Sequence, residues 1–371
     1  MFAYRRCINT FFVVLLLCAG AGPVPLYAGG SREQGPLKPA VPNLQQLPQD
    51  RESGDPDVVS VTSITNAEFA ENPETAEAEG LVAAAGELAT AAGELAATAT
   101  NSQSNRAETV MKALAQGYPD RVGPAEFRDG DWAAKVRGQW FYYAEGRLLP
   151  QELRSKAAEY DPQPFYRYSA ELPPWVDPTA EESARIRTQS RQRSQHPPKR
   201  SQHFHDALWR ASSRTEAWDR VKSLRFLGHP VYVHYSILEE LALVEELILE
   251  EAKTNAQVRQ WINNISTLDG WNWRSIADTQ SRSFHAYGAA FDLLPKSLGK
   301  LETYWLWASR NRSDWWAVPY SQRLHPPEAV IKAFESYGFV WGGKWMFYDT
   351  MHFEYRPEIF ILSGLPLSTL Q

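Results

Sequence analysis

The chain of 371 residues sets 38 Lys and Arg against 44 Asp and Glu, a net charge of −6, which makes no case for a nucleic-acid partner. Both of its cysteines, Cys7 and Cys18, lie near the N-terminus, so thiolate catalysis and a cysteine-ligated zinc are excluded from everything after them. A chain this long buries an adequate core without disulfides.

Arg5 and Arg6 precede an apolar stretch from Phe11 to Ala21, followed by Pro23 and a small-residue exit at Ala28-Gly29. Residues 1–28 therefore read as a secretory signal peptide, and a periplasmic or otherwise extracytoplasmic site of action follows. The stretch falls short of the ~20 apolar residues of a membrane span. Cys18 follows Leu17 rather than the small residue that lipid attachment wants. A membrane thus enters only through an uncleaved signal or a lipid anchor.

Residues 29–105 are rich in Pro, Glu, Ala, Ser and Thr and read as a disordered low-complexity linker. Within them Ala84-Ala85-Gly86-Glu87-Leu88-Ala89 recurs as Ala91-Ala92-Gly93-Glu94-Leu95-Ala96, two copies being too few for a coiled coil. Residues 106–180 are read as an accessory aromatic-rich β region. Asp131 to Val136 and Gln139 to Tyr143 form two short strands about Arg137-Gly138, weighted by Trp132, Trp140, Phe141 and Tyr142. An isolated hairpin is marginal, so it packs on something; core packing is the first reading of its aromatics, glycan binding the second. Residues 181–224 hold Arg185, Arg187, Arg191, Arg193, Lys199 and Arg200 with few apolar side chains, the pattern of an exposed basic connector.

Residues 225–371 form the last domain. Ser236-Ile237-Leu238-Glu239 is a capping box opening a helix through about Ala252, with Leu241, Val244, Leu247 and Ile248 as its core face. A second helix starts near Pro326 or Pro327 and ends near Gly338, burying Val330, Ile331 and Phe334. Helices against a short sheet make the class α+β.

The chemistry concentrates in two segments of this domain. Ser283-Phe284-His285-Ala286-Tyr287-Gly288-Ala289-Ala290-Phe291-Asp292 places a histidine and an aspartate together, and Asp349-Thr350-Met351-His352-Phe353-Glu354 adds a second histidine. Two imidazoles and a carboxylate fill three of the four positions Zn2+ prefers, leaving the fourth for water. Read as extended, the first segment puts Ser283 and His285 on one face, with Gly288 turning the chain close to the metal. Asp349 and His352 would face opposite ways on a strand, so a loop ending at Met351 is required for both to address one ion. From His352 the strand resumes, putting Glu354 on the same face, where it orients His352. Ser283 supports the site rather than attacks, because no histidine free of metal would activate it. His203, His205, His229, His234 and His325 lack a complementary ligand set.

The two segments resemble the zinc D-alanyl-D-alanine carboxypeptidases of the VanY type and the related L-alanyl-D-glutamate endopeptidases, through Ser283, His285, Gly288, Ala290, Asp292, Asp349 and His352. The resemblance covers roughly residues 225 to 360. It implies a mainly antiparallel, Hedgehog/DD-peptidase-like zinc peptidase domain over 225–371, acting on the peptidoglycan stem peptide as a monomer. His285, Asp292 and His352 would hold the metal, with Asp349 as general base. An arginine ahead of the first segment would pair with a substrate carboxylate, and Arg274 is favoured over Arg282. Aspartate at the base position tilts toward the endopeptidase branch. A non-catalytic wall-binding module with a structural metal is the alternative, and a hydrolase for another amide is a third reading.

Overall fold

The computed structural model describes residues 104–368, so the expected signal peptide, Cys18 and all but the end of the expected linker lie outside the described residues. In chain order, helix α1 (104–117) leads into an antiparallel meander of β1 (Glu126–Arg128), β2 (Asp131–Val136), β3 (Gln139–Tyr142) and β4 (Leu149–Pro150). The β2–β3 hairpin turns at Arg137 and Gly138, both with positive φ, as the sequence predicts. Phe141 and Tyr142 are buried, and Phe141 meets Phe204 edge-on at 5.5 Å, so these aromatics are core.

The segment expected as an exposed connector is largely helical: α2 (Ala180–Gln195), α3 (His203–Trp209) and α4 (Arg214–Arg220). Thr179 and Glu182 close a capping box on α2, and its one buried residue, Ile186, joins Trp305, Trp315, Trp316 and Tyr348 in a small second core. The run His203-Phe204-His205-Asp206 lies on α3, and its Asp206 accepts from Arg282 and, at 3.1 Å, from the hydroxyl of Tyr287.

β5 (Val221–Phe226) and β6 (His229–His234) pair as a hairpin that straddles the expected boundary at 225. A short 3-10 turn, Tyr235–Ile237, then opens α5 (Leu238–Thr254), followed by α6 (Ala256–Asn264). Ser236 does not cap this helix: its hydroxyl accepts from Arg121 at 3.0 Å, and its backbone amide donates to His234. Leu241, Val244 and Ile248 are buried as expected, but Leu247 is 43% exposed, with Ala252 in the face instead.

The remaining elements are β7 (Ile265–Asp269), α7 (Phe284–Tyr287), β8 (Ala290–Pro295), α8 (Trp305–Asn311), α9 (Glu328–Ser336), β9 (Phe339–Trp341), β10 (His352–Tyr355) and α10 (Pro357–Ser363). The strands form an antiparallel sheet ordered β7-β8-β10-β9, and α9 buries Val330, Ile331 and Phe334 as its spacing predicts. Phe334 stacks on Phe353 of β10 at 4.0 Å. This α+β core is continuous with the first meander, because Val110 and Leu114 of α1 and Phe141 of β3 belong to the same buried cluster as Phe291, Phe334 and Phe353. No helix among the described residues is long and apolar enough to cross a membrane.

His234 gives this fold an acid-sensitive point. Its ring is 1% exposed; Nε2 donates to the carbonyl of Trp209 at 3.0 Å, so Nδ1 is left to accept from Ser236. The neutral ring is fully satisfied, and burial pushes its pKa down to about 3. The unfolded chain therefore takes up a proton that the folded chain refuses, and stability falls as pH drops below the ordinary histidine value near 6.5 toward 3, by up to about 1.4 kcal/mol per pH unit. Urea midpoints measured at pH 7 and pH 5 are expected to differ less in His234→Gln than in the parent; an equal difference would remove His234 from the account.

Candidate metal centre

Sheet register brings the first two residues of the site together. Asp292 of β8 and His352 of β10 are direct partners across the ladder, so both side chains leave the same face a few ångströms apart. Glu354, two residues on, shares that face opposite Ala290, whose small side chain leaves it room. The loop before β10 is present: Thr350 and Met351 form a turn, and Asp349 bridges back to Tyr304.

His285 reaches the same point by a route the sequence reading missed. The segment expected to be extended is the four-residue helix α7, with Ser283 at its N-cap accepting from the amide of His285 at 3.3 Å and Gly288 closing it at φ 70°. Gly288 is needed there for its left-handed conformation and because a side chain would meet the amide nitrogen of His234 at 2.7 Å. The close approach is to β6, not to the metal position. Trp271 donates through its indole to the carbonyl of Ala286 at 3.0 Å, which ties α7 to the segment after β7.

Each imidazole has a defined inner and outer nitrogen. Nδ1 of His285 donates to the carbonyl of Gly270 at 2.7 Å, and Nε2 of His352 donates to Glu354 at 3.2 Å. The other two nitrogens turn inward, 3.2 Å apart, and Oδ1 of Asp292 lies 3.3 Å from Nε2 of His285 and 2.9 Å from Nδ1 of His352. These three atoms are the metal-capable cluster among the described residues. Arms of roughly 2.0–2.1 Å at tetrahedral angles span edges of about 3.3–3.4 Å, so zinc fits the triangle with little movement.

The electrostatics also favour positive charge at the centre of the triangle. Burial disfavours an imidazolium, yet hydrogen bonds to Asp292 and Glu354 outweigh it and push His352 up to about 10. Asp292 goes the other way: burial is outweighed by the charge of His285 and by hydrogen bonds from both rings, which hold its carboxyl well below the usual carboxylate range. A proton or a cation between the three atoms satisfies the same field.

Asp349 stands beside the cluster without belonging to it. Burial, and after it the negative charge of Asp292, push its carboxyl up to about 7, against the opposing pull of His352 and His285. Its Oδ1 is buried with no hydrogen-bond partner. An unsatisfied buried carboxylate oxygen is costly in a fold, so such atoms mark places where a ligand or reacting group is to be met.

The structure separates the two arginine candidates. Arg282 is engaged: it pairs with Asp206, donates to the carbonyl of Ala211 at 3.0 Å and lies over the ring of Trp273 at 4.2 Å. Arg274 is exposed, its guanidinium has no hydrogen-bond partner among the described residues, and its carbonyl accepts from the amide of Ser283. Arg274 and Asp349 both lie within electrostatic reach of Tyr304. His203, His205, His229, His234 and His325 stay outside the cluster.

Sequence reasoning missed Gly270, Trp345 and Arg356. The ring of Trp345 lies 5.5 Å from that of His352, and its indole donates to the hydroxyl of Tyr166 at 2.8 Å. Only the glycine carried a local signal, as a small residue at the end of a strand and before a tryptophan pair.

A His/Asp/His cluster able to coordinate a metal, with a buried carboxylate oxygen left unpartnered beside it, is an arrangement that suits a metal-dependent hydrolase. In agreement, residues 277–355, which hold all three cluster residues and Asp349, match a family model described as D-alanyl-D-alanine carboxypeptidase. Residues 110–165 match a second model, described as a domain of unknown function, DUF8518. No curated protein and no solved structure matches the chain.

Proposed function

We propose that this protein is a zinc-dependent peptidase that hydrolyses peptidoglycan stem peptides, as a D-alanyl-D-alanine carboxypeptidase or an L-alanyl-D-glutamate endopeptidase, working outside the cytoplasm as a monomer. The observation that carries the reading is the triangle of Nε2 of His285, Oδ1 of Asp292 and Nδ1 of His352, with edges of 2.9–3.3 Å, beside the unpartnered Oδ1 of Asp349. Those three atoms would hold a zinc ion, whose Lewis acidity would be available to polarise a peptide carbonyl and to make water acidic enough for use near neutral pH.

The chain's own groups do the rest. Asp349 accepts the proton that water gives up as it attacks, and returns it to the departing amine. Glu354 and the Gly270 carbonyl hold the two imidazoles in the tautomers that keep their inner lone pairs free. Arg274 pairs with a carboxylate of the peptide through parallel hydrogen bonds, which orients the scissile bond. Its replacement by alanine is expected to raise KM about tenfold or more with a smaller change in kcat; an unchanged KM in steady-state assays would remove it from substrate binding.

The test is to incubate the recombinant protein with muropeptides and weigh the products. Loss of a terminal D-alanine identifies the carboxypeptidase and scission within the stem the endopeptidase. Activity should vanish on chelation and return with zinc. Intact muropeptides after incubation with zinc-loaded protein would refute the reading.

A further inference from the structure

The polar run of β10 continues past Glu354. Oε1 of Glu354 accepts from Arg356 at 3.3 Å, Arg356 pairs in turn with Glu358, and Oε2 of Glu358 accepts from the hydroxyl of Tyr118 at 2.8 Å. Arg356 also donates to the carbonyl of Pro164 at 3.3 Å, and its guanidinium lies over the ring of Phe284, the neighbour of His285, at 5.0 Å. Glu354, Arg356, Glu358 and Tyr118 are all buried. Tyr118 follows α1 and Pro164 follows the first meander, and both fall within the span 110–165 that matches the domain of unknown function.

Burying two carboxylates and a guanidinium is expensive, and apolar residues of equal volume would hold the same strand at no greater cost. Stability alone therefore does not account for this chain of charges. Its near end is the outer nitrogen of His352; its far end is anchored outside the span that resembles the carboxypeptidases.

We propose that the 110–165 region completes the metal centre: Tyr118 and the Pro164 carbonyl hold Arg356 and Glu358 in place, these fix Glu354 against Nε2 of His352, and Nδ1 is thereby aimed at the ion. The inference rests on the reading of the cluster as a divalent-metal site. Tyr118 is a positioning residue that touches neither substrate nor metal.

Tyr118→Phe in the full chain removes one hydroxyl and keeps the ring between Trp209 and Tyr355, each 6.0 Å away. Zinc affinity is read by competition with a coloured chelator, and the ligand field at His352 by the visible spectrum of the cobalt-substituted protein. The dissociation constant for zinc is expected to rise about three- to tenfold, less than the roughly 10–100-fold expected for a direct partner of a ligand, with an altered cobalt spectrum. Glu358→Gln, which keeps the volume, should act in the same direction and stands in if Tyr118→Phe does not fold. Val136→Ala, a core truncation in the same region whose side chain makes none of these hydrogen bonds, should lower thermal stability and leave zinc affinity and the cobalt spectrum alone. The proposal is overturned if the hydroxyl's removal changes neither readout, or if Val136→Ala weakens zinc as much. A parent that binds no zinc would instead overturn the metal site itself.

Discussion

Asp349→Ala is expected to lose hydrolysis by about 10²–10⁴-fold while keeping its zinc. Asp349 supplies none of the three atoms of the triangle, so the ion should stay, and removing a negative charge from beside Asp292 relieves a repulsion. The folded state should not suffer either, because the residue holds a buried oxygen with no partner, a group whose removal saves a desolvation cost of about 1–3 kcal/mol. Loss of turnover without loss of metal or of thermal stability is thus the signature of a proton carrier. Zinc content, melting temperature and turnover measured on one preparation check it. Parent-level activity in the variant would take Asp349 out of the reaction, and loss of zinc would make it a ligand.

Gly270→Ala should be the most damaging single methyl in the site. A Cβ there would stand 2.2 Å from the carbonyl oxygen of Tyr232 and 2.7 Å from a methyl of Val231, where β6 passes the end of β7, and the amide of Trp271 bonds that same carbonyl at 2.7 Å. Backbone cannot yield by that much, so the segment must move away, at a cost of roughly 1–3 kcal/mol or more. The movement takes with it the Gly270 carbonyl that fixes the tautomer of His285. Zinc affinity is expected to fall about 10–100-fold together with the melting temperature. Chelator competition on the folded variant separates the two effects; unchanged affinity would show that His285 finds its orientation from Ser283 and Trp271 alone.

What the sequence made legible was what local rules govern. The β2–β3 hairpin is written in the aromatics on either side of Arg137-Gly138, and the buried stripe of α9 in the spacing of Val330, Ile331 and Phe334. The triangle was legible for a different reason, since its chemistry needs specific residue types in order and only then geometry. Four residues are too few to show helical period, so nothing in the spacing of α7 distinguishes it from an extended segment although Ser283 is a good N-cap. The capping box at Ser236 failed because tertiary partners, Arg121 and His234, claimed the same hydroxyl and amide. Helix α2 hid behind its charges: with one buried residue it has no apolar stripe, and the tryptophans that receive Ile186 lie more than a hundred residues away. The link from Tyr118 to Glu358 spans 240 positions and leaves no local trace.

The pairing of Asp292 with His352 has a consequence for how the protein becomes active. Side chains alternate along a strand, so slippage of β10 against β8 by a single residue would send the histidine through the sheet to the opposite side. A misaligned chain therefore offers a cation two ligands instead of three, and capture of the ion becomes a proofreading step. It rewards the one alignment that makes the enzyme, and through mass action it deepens that state as zinc becomes available.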